Sequence, residues 1–316
     1  MMLCLSTLPY SVSPSFHLES FRAYAQALSN NPKVNTASSG QNGYDTNERH
    51  LQIVDRLAAA TVAVIGLGGV GSWAAEALCR SGVGNLVLID LDDICISNTN
   101  RQLHATSSSV GQMKIDEMRR RILDINPQCS VTNIHEFITV ENIGGLLDSL
   151  LPDLTVCLDA IDDSKAKTSF LAACTDRKIP VVTCGGAAGR TDPTKIVCND
   201  LTRVEGDRLL KTCRANLRKL YGFPEGASAH STALRKIKKW RIHAVYSTET
   251  AKNLPEDRSD PDGNNNKVSS LRRCDSALGT VCFVTGTVGF VAAGKVVDMI
   301  ATPKFAIPKR PWRPRS

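Results

Sequence analysis

The sequence predicts a doubly wound α/β fold on a mostly parallel sheet, and three observations carry that expectation. Short β-branched and apolar runs alternate with helical segments from residue 61 to residue 183. The first run leads into Gly66-Leu67-Gly68-Gly69-Val70-Gly71 and then a helix, a Rossmann-like arrangement. Acids, Asp90 and Asp159, stand at the ends of two runs, where open α/β sheets bind ligands.

Taken in order, residues 61–65 read as a buried strand and 70–80 as a helix with Trp73, Ala74, Ala77 and Leu78 on a common side. Residues 86–89 form the second strand. A strand, glycine turn, helix and strand in succession demand a parallel pair with a right-handed crossover. Residues 114–125 are helical and stop at Asn126-Pro127, because proline disfavours helix in the residue before it. Then come a strand at 131–134, a helix at 140–151, a strand at 154–158, a helix at 164–178 with Ser164 as its N-cap, and a strand at 180–183. After Arg190 the rhythm changes to a C-terminal α/β extension. It holds a strand at 196–198, a charged helix at 206–221, a loop at 224–231, a strand at 242–246, a polar loop at 253–267 and one or two buried helices within 281–300.

The chain has 316 residues, 42% hydrophobic and 22% charged, which suffices for a sizeable core. No unbroken apolar run of about 18 residues occurs, so no membrane-spanning helix is expected. The net charge of +7 favours an anionic partner. Eleven cysteines include no Cys-x-x-Cys pair, which argues against a structural zinc site and for reduced, unpaired thiols. Residues 1–44 are rich in Ser, Asn and Pro, with Arg22, Lys33 and Glu19 as their charges; they read as a disordered or targeting arm. A cytoplasmic location is expected, with a mitochondrial one as the alternative. Residues 45–301 form the main domain, with a basic part at 190–275, and residues 302–316 a basic, proline-rich tail.

Glycines between a strand and a helix let phosphate approach the backbone, and the helix N-terminus offers N–H groups and partial positive charge. By itself the loop suits NAD, FAD or ATP. Asp90 at the next strand end suits ribose hydroxyls. The residues beyond Asp90 point to a triphosphate: Asp92, then Asn98-Thr99-Asn100-Arg101-Gln102, then Lys114. Hydride transfer has no need of Arg101 and Lys114 here, whereas cations offset the charge that builds on departing pyrophosphate. Asp159-Ala160-Ile161-Asp162-Asp163 adds carboxylates able to hold magnesium, at least one of which caps the next helix.

Together these segments resemble the superfamily of ubiquitin-activating-enzyme-like adenylating proteins, which includes the sulfur-carrier adenylyltransferases, over residues 47–300. Further stretches resemble the tRNA threonylcarbamoyladenosine dehydratase family: 72–78, Thr183-Cys184-Gly185-Gly186-Ala187, Asp192-Pro193-Thr194, Val245-Tyr246-Ser247-Thr248-Glu249 and Gly286-Thr287-Val288-Gly289-Phe290. The resemblance implies an ATP- and magnesium-dependent enzyme that adenylates the threonyl carboxylate of a modified adenosine beside a tRNA anticodon. Ring closure then releases AMP. It implies that Gly66, Gly68, Gly69 and Gly71 cradle phosphate and Asp90 binds ribose, with Asp92 close by. Asn98, Arg101, Gln102 and Lys114 would face the triphosphate, and Asp162 would hold magnesium with Asp159 beside it. It also implies a homodimer and allows sulfur-relay partner proteins. Two departures stand out: Tyr44 to His50 holds a single arginine, Arg49, where relatives are arginine-rich, and Asp163 follows Asp162 where many have Ser or Asn.

Missing Cys-x-x-Cys pairs set the chain apart from the sulfur-carrier relatives, and its length leaves no room for a thioester domain plus a ubiquitin-like fold. The alternative remains an activator of a carrier protein's C-terminal glycine. Between residues 203 and 241, eleven Lys or Arg stand against three Asp or Glu. Lys211, Arg214 and Arg218 share a helix face, and Lys236, Lys238, Lys239 and Arg241 lie further on around Trp240, a surface suited to tRNA phosphates. Cys184 is read as a packing residue.

Overall fold

The computed structural model describes residues 46–224, 239–251 and 279–302, with side chains from residue 51 onward. A helix that the sequence pattern does not predict comes first, α1 (Thr46–Ala59), burying Ile53, Val54 and Leu57. Then come β1 (Thr61–Ile65), α2 (Gly71–Arg80), β2 (Asn85–Ile89), α3 (Lys114–Ile125), β3 (Ser130–Ile134), α4 (Ile143–Leu150), β4 (Leu154–Asp159), α5 (Ser164–Asp176) and β5 (Val181–Cys184). The chain continues through β6 (Ile196–Asp200), α6 (Arg208–Tyr221), β7 (His243–Ser247) and α7 (Cys282–Ala301). The expected loops at 224–231 and 253–267 lie largely outside the described residues, as do Lys236, Lys238 and the N-terminal arm.

The seven strands among the described residues join one sheet in the order β3-β2-β1-β4-β5-β7-β6. Every pairing is parallel except β6 with β7. The C-terminal extension therefore continues the sheet: β7 docks on β5 and β6 closes the edge. Strand periodicity divides the core, because successive side chains point to opposite faces. Val62 and Val64 of β1 face α1, α2, α3 and α7, while Ala63 and Ile65 face α4, α5 and α6. Helices on both faces fit the doubly wound expectation.

Helix α7 resolves the late apolar stretch into one helix. It is long and apolar enough to cross a membrane, yet most of it is buried in this core, as in a soluble protein's central helix. It crosses α2 closely because of its glycines. Gly286 lies under the Trp73 ring, and a Cβ on Gly289 would stand 2.6 Å from the Val70 carbonyl oxygen. Because α2 is covered by both the sheet and α7, its buried side carries Ala74, Ala75, Leu78 and Cys79, with Trp73 and Ala77 only half-buried. The expected Trp73 and Ala77 face is thus the rim of the helix. At its far end Glu76 binds Arg80 and Arg121, joining α2 to α3.

Candidate active site

Strand order reverses at β1, between β2 and β4, so a crevice opens at the carboxyl ends of these strands. The glycine loop fills it. Gly66 has φ of 85°, and a Cβ there would stand 3.0 Å from the Ala160 carbonyl oxygen. A Cβ on Gly71 would lie 1.8 Å from the Gly66 carbonyl oxygen. These two glycines close the turn. At Gly68 a Cβ would meet nothing within 4 Å, so this position faces open space. Helix α2 begins just beyond, with no side-chain cap and no acid in its first turn. Among the described residues its N-terminal N–H groups thus have no capping carboxylate, which suits phosphate.

Residues of α2 fasten a second segment over the loop. Trp73 donates its indole N–H to the Arg101 carbonyl at 2.9 Å. Ser72 donates to the Gly68 carbonyl at 2.7 Å and accepts from the Leu103 N–H at 3.2 Å. The Arg101 Cγ lies 3.2 Å from where a Gly69 Cβ would stand, so this side chain crosses the glycine loop. Its guanidinium donates to the Ser97 carbonyl at 2.7 Å and to Asn100 Oδ1 at 3.0 Å. Sequence pattern does not single out Ser72 and Trp73 as the fasteners, although both stand in the first turn after the glycines. Asn98 is buried, and its Oδ1 accepts from the Cys95 N–H at 3.0 Å. Its carbonyl accepts from the Gln102 N–H at 2.9 Å, so Asn98 shapes the turn that carries Arg101. Gln102 is buried with its Oε1 unpartnered among the described residues.

Asp90 ends β2 as expected. Its oxygens accept from the Leu67 N–H at 2.5 Å and the Asp92 N–H at 2.8 Å, which locks the glycine loop to the neighbouring strand. Burial pushes its carboxyl above the usual range, an effect the Lys114 ammonium opposes. Residues 92–94 pair with 111–114, and this carries Lys114 to Asp92 at 2.6 Å. The Lys114 side chain is buried at the start of α3, and Asp92 is half exposed.

The three acids after β4 separate sharply. Asp159 is fully buried, and its carboxylate takes Lys167 Nζ at 2.8 Å, Thr183 Oγ1 at 2.7 Å and the Ile161 N–H at 3.0 Å. This corrects its expected place at the magnesium, since a carboxylate sealed against a buried lysine is not open to a hydrated ion. Lys167 was legible as a charge on the apolar face of α5, at the spacing of Phe170, Leu171 and Cys174. Asp163 caps α5, accepting from the Lys165 and Ala166 N–H groups at 3.0 and 2.7 Å, so the N-cap is Asp163 and not Ser164. Its charge faces the helix N-terminus. Asp162 is exposed and has no hydrogen-bond or ion-pair partner among the described residues.

Beyond β5, which pairs with β4 up to Asp159 and Thr183, comes the Gly185–Gly189 turn. Cys184 is buried, and desolvation pushes its thiol up to about 12, in keeping with packing rather than nucleophilic use. The stretches 192–194 and 245–249 meet: the Glu249 carboxylate accepts from the Thr191 and Asp192 N–H groups, each at 2.9 Å. The basic face needs correction. Arg214 is half-buried, with its guanidinium on the Val204 carbonyl at 2.5 Å, and burial pulls it below its usual range. Arg218 lies over the Trp240 ring, 5.4 Å from its centroid. Arg203, Arg208, Lys211, Lys219 and Lys239 are exposed cations.

Known proteins share this architecture. The ThiF family model matches residues 45–311. A tRNA threonylcarbamoyladenosine dehydratase of Haemophilus influenzae is 41% identical over 79% of this chain and 88% of its own length. The solved structure of the E. coli tRNA N6-threonylcarbamoyladenosine dehydratase in complex with AMP is 35% identical, with a TM-score of 0.66, covering 79% of this chain and 89% of that one. The same enzyme in complex with ATP gives a TM-score of 0.65 at 35% identity, covering 79% of this chain and 88% of that one. The chain belongs to the ThiF family and, within it, to the tRNA threonylcarbamoyladenosine dehydratases.

Proposed function

We propose that this protein uses ATP to dehydrate threonylcarbamoyladenosine beside the tRNA anticodon. The observation that carries the reading is one crevice holding an uncapped, acid-free helix N-terminus, Arg101 across the glycine loop, and Asp162, unpartnered among the described residues. An anion with several phosphates suits that combination better than a nicotinamide does. A threonyl carboxylate oxygen attacks the α-phosphorus of ATP, and pyrophosphate leaves. Arg101 and Lys114 offset the charge gathering on the departing group. Asp90 has lone pairs beyond its two backbone bonds with which to accept ribose hydroxyls. An internal nitrogen or oxygen of the substrate then attacks the acyl carbon, a ring closes and AMP leaves. The net change is loss of one water from the nucleoside, with ATP converted to AMP and pyrophosphate.

Asp162 would hold magnesium, which typically takes one or two carboxylates together with phosphate and water oxygens. The donor set fits that pattern: Asp159 and Asp163 are committed elsewhere, and no cluster of three His, Cys, Asp or Glu occurs among the described residues. When bound, the ion would neutralise phosphate charge. A homodimer is the expected assembly, and exposed Phe283 and Phe290 on α7 give it an apolar face to cover.

The test is incubation of the protein with ATP, magnesium and threonylcarbamoylated tRNA, followed by mass analysis of the nucleosides. A product lighter by one water is expected. An unchanged nucleoside beside an active control enzyme overturns the proposal. Pyrophosphate exchange driven by a carrier protein but not by the tRNA would favour the carrier-activating alternative.

A further inference from the structure

Arg190 and Asp207 form a buried ion pair, with side chains 4% and 0% exposed and 3.3 Å between Nη2 and Oδ2. Neither belongs to the nucleotide crevice, yet both converge on the turn after β5. Asp207 Oδ2 accepts from the Gly186 N–H at 3.0 Å, while its Oδ1 caps α6 through the Leu210 N–H at 2.9 Å. Arg190 donates to the Gly186 carbonyl and, at 3.3 Å, to the Glu249 carbonyl. Gly186 is thus gripped at both its N–H and its carbonyl. At Gly185 a Cβ would stand 2.4 Å from Asp207 Oδ2, so the turn fits this pair only with glycine there. At Gly186 the nearest atom to an added Cβ is Arg190 Nη1, an ordinary 3.8 Å away.

The turn's far end and the arginine segment share a support. Gly189 donates its N–H to the Gly279 carbonyl at 2.9 Å, and Asn100 Nδ2 donates to the Thr280 carbonyl at 2.9 Å. The turn comes after β5, which neighbours β4 in the sheet, so it lies beside the Asp159–Asp163 turn at the carboxyl edge where ligands bind. Burying two charges is costly and often no more stabilising than apolar packing; what this pair adds here is the two-sided hold on Gly186.

We propose that Arg190 and Asp207 are positioning residues that hold the Gly185–Gly189 turn as the wall against which the acceptor nucleoside is placed. This rests on the function proposed above. The nucleotide side, residues 66–101, has its own fasteners in Asp90, Ser72 and Trp73, so loss of the pair separates acceptor placement from ATP binding.

The experiment compares Arg190→Met, Arg190→Lys, Gly185→Ala and Gly186→Ala. For each, kcat and KM for threonylcarbamoylated tRNA, ATP affinity and Tm are measured. Arg190→Met and Gly185→Ala are expected to lower kcat/KM for the tRNA by about 10- to 100-fold, as misplacement of a reacting group does, with ATP affinity held within about twofold. Arg190→Lys recovers part of the loss, and Gly186→Ala loses clearly less than Gly185→Ala, because its added methyl meets only ordinary contact. ATP affinity falling in step with tRNA turnover and Tm would overturn the proposal, as would unchanged turnover in Arg190→Met. If Arg190→Met does not fold, the Gly185 and Gly186 contrast decides: equal behaviour of the two refutes the brace. If the wild-type protein itself leaves the modified tRNA unchanged, the functional reading has failed. Hydrogen exchange then tests the brace alone, because Gly185→Ala should speed exchange at 185–189 and leave 66–71 protected. Equal exchange in both segments overturns it.

Discussion

Replacing Lys167 with methionine keeps the length of the side chain and removes its charge. Asp159 is then left fully buried with two neutral donors, Thr183 Oγ1 at 2.7 Å and the Ile161 N–H at 3.0 Å. Breaking a buried ion pair by deleting one partner typically costs about 3–5 kcal/mol. The two surviving donors place this case at the lower end, about 3 kcal/mol. For a domain of this size that is a fall in Tm of about 6–12 °C. Urea unfolding and thermal melting of Lys167→Met, Asp159→Asn and the double variant form a cycle. The double variant is expected to be more stable than the two single losses added together by at least about 1 kcal/mol, because no unpaired charge remains buried. A single-variant cost below about 1 kcal/mol, or strict additivity, would refute the reasoning. The same set tests the corrected role of Asp159. A magnesium ligand would lose metal dependence and keep its Tm on conversion to Asn, whereas a structural anchor loses Tm first.

The site makes four further outcomes measurable. Gly68→Ala should leave Tm unchanged and weaken ATP binding about tenfold, because its methyl enters open space offered to phosphate; Gly71→Ala, 1.8 Å from a carbonyl oxygen, should cost about 3 kcal/mol or more and abolish ATP binding. Arg101→Ala should still bind ATP while adenylation, monitored by pyrophosphate exchange, drops by about 100- to 1000-fold; full activity removes Arg101 from the chemistry. Lys211→Glu should weaken tRNA binding in a filter assay without changing Tm, whereas Arg214→Glu should lower Tm because its guanidinium sits on backbone carbonyls. His104 is buried with both ring nitrogens unpartnered among the described residues, and burial, with Lys114 nearby, lowers its pKa from 6.5 to about 4. Its contribution is whole above pH 6.5 and is lost as pH falls from 6.5 towards 4, by up to about 3 kcal/mol; His104→Leu should flatten that part of the stability profile.

Local pattern was a good guide wherever local forces decide structure. Residues 114–125 were bounded correctly because Pro127 stops the helix, and the alternation of short strands with helices placed the parallel sheet. The tight turn at Gly66 and Gly71 was visible because only glycine allows that backbone approach. Helix α1 was not anticipated. Elsewhere pattern runs out where three-dimensional partners compete for the same residue. Asp159, Asp162 and Asp163 are three similar acids within five positions, and only packing sends one to Lys167, one to a helix N-terminus and one to solvent. Lys211, Arg214 and Arg218, three and four residues apart on one helix face, divide the same way, since the carbonyls at 201–204 and the Trp240 ring come to α6 from other parts of the chain.

By itself the sequence determined the fold class and the glycine loop, and it pointed to the chemistry of a cleaved triphosphate, because those readings depend on residue type and spacing along one chain. Tertiary structure decided which charged groups remain available to a ligand. That choice turns on burial and on partners brought from distant segments: a carboxylate facing solvent can meet phosphate or metal, and one sealed against Lys167 can only hold the sheet together.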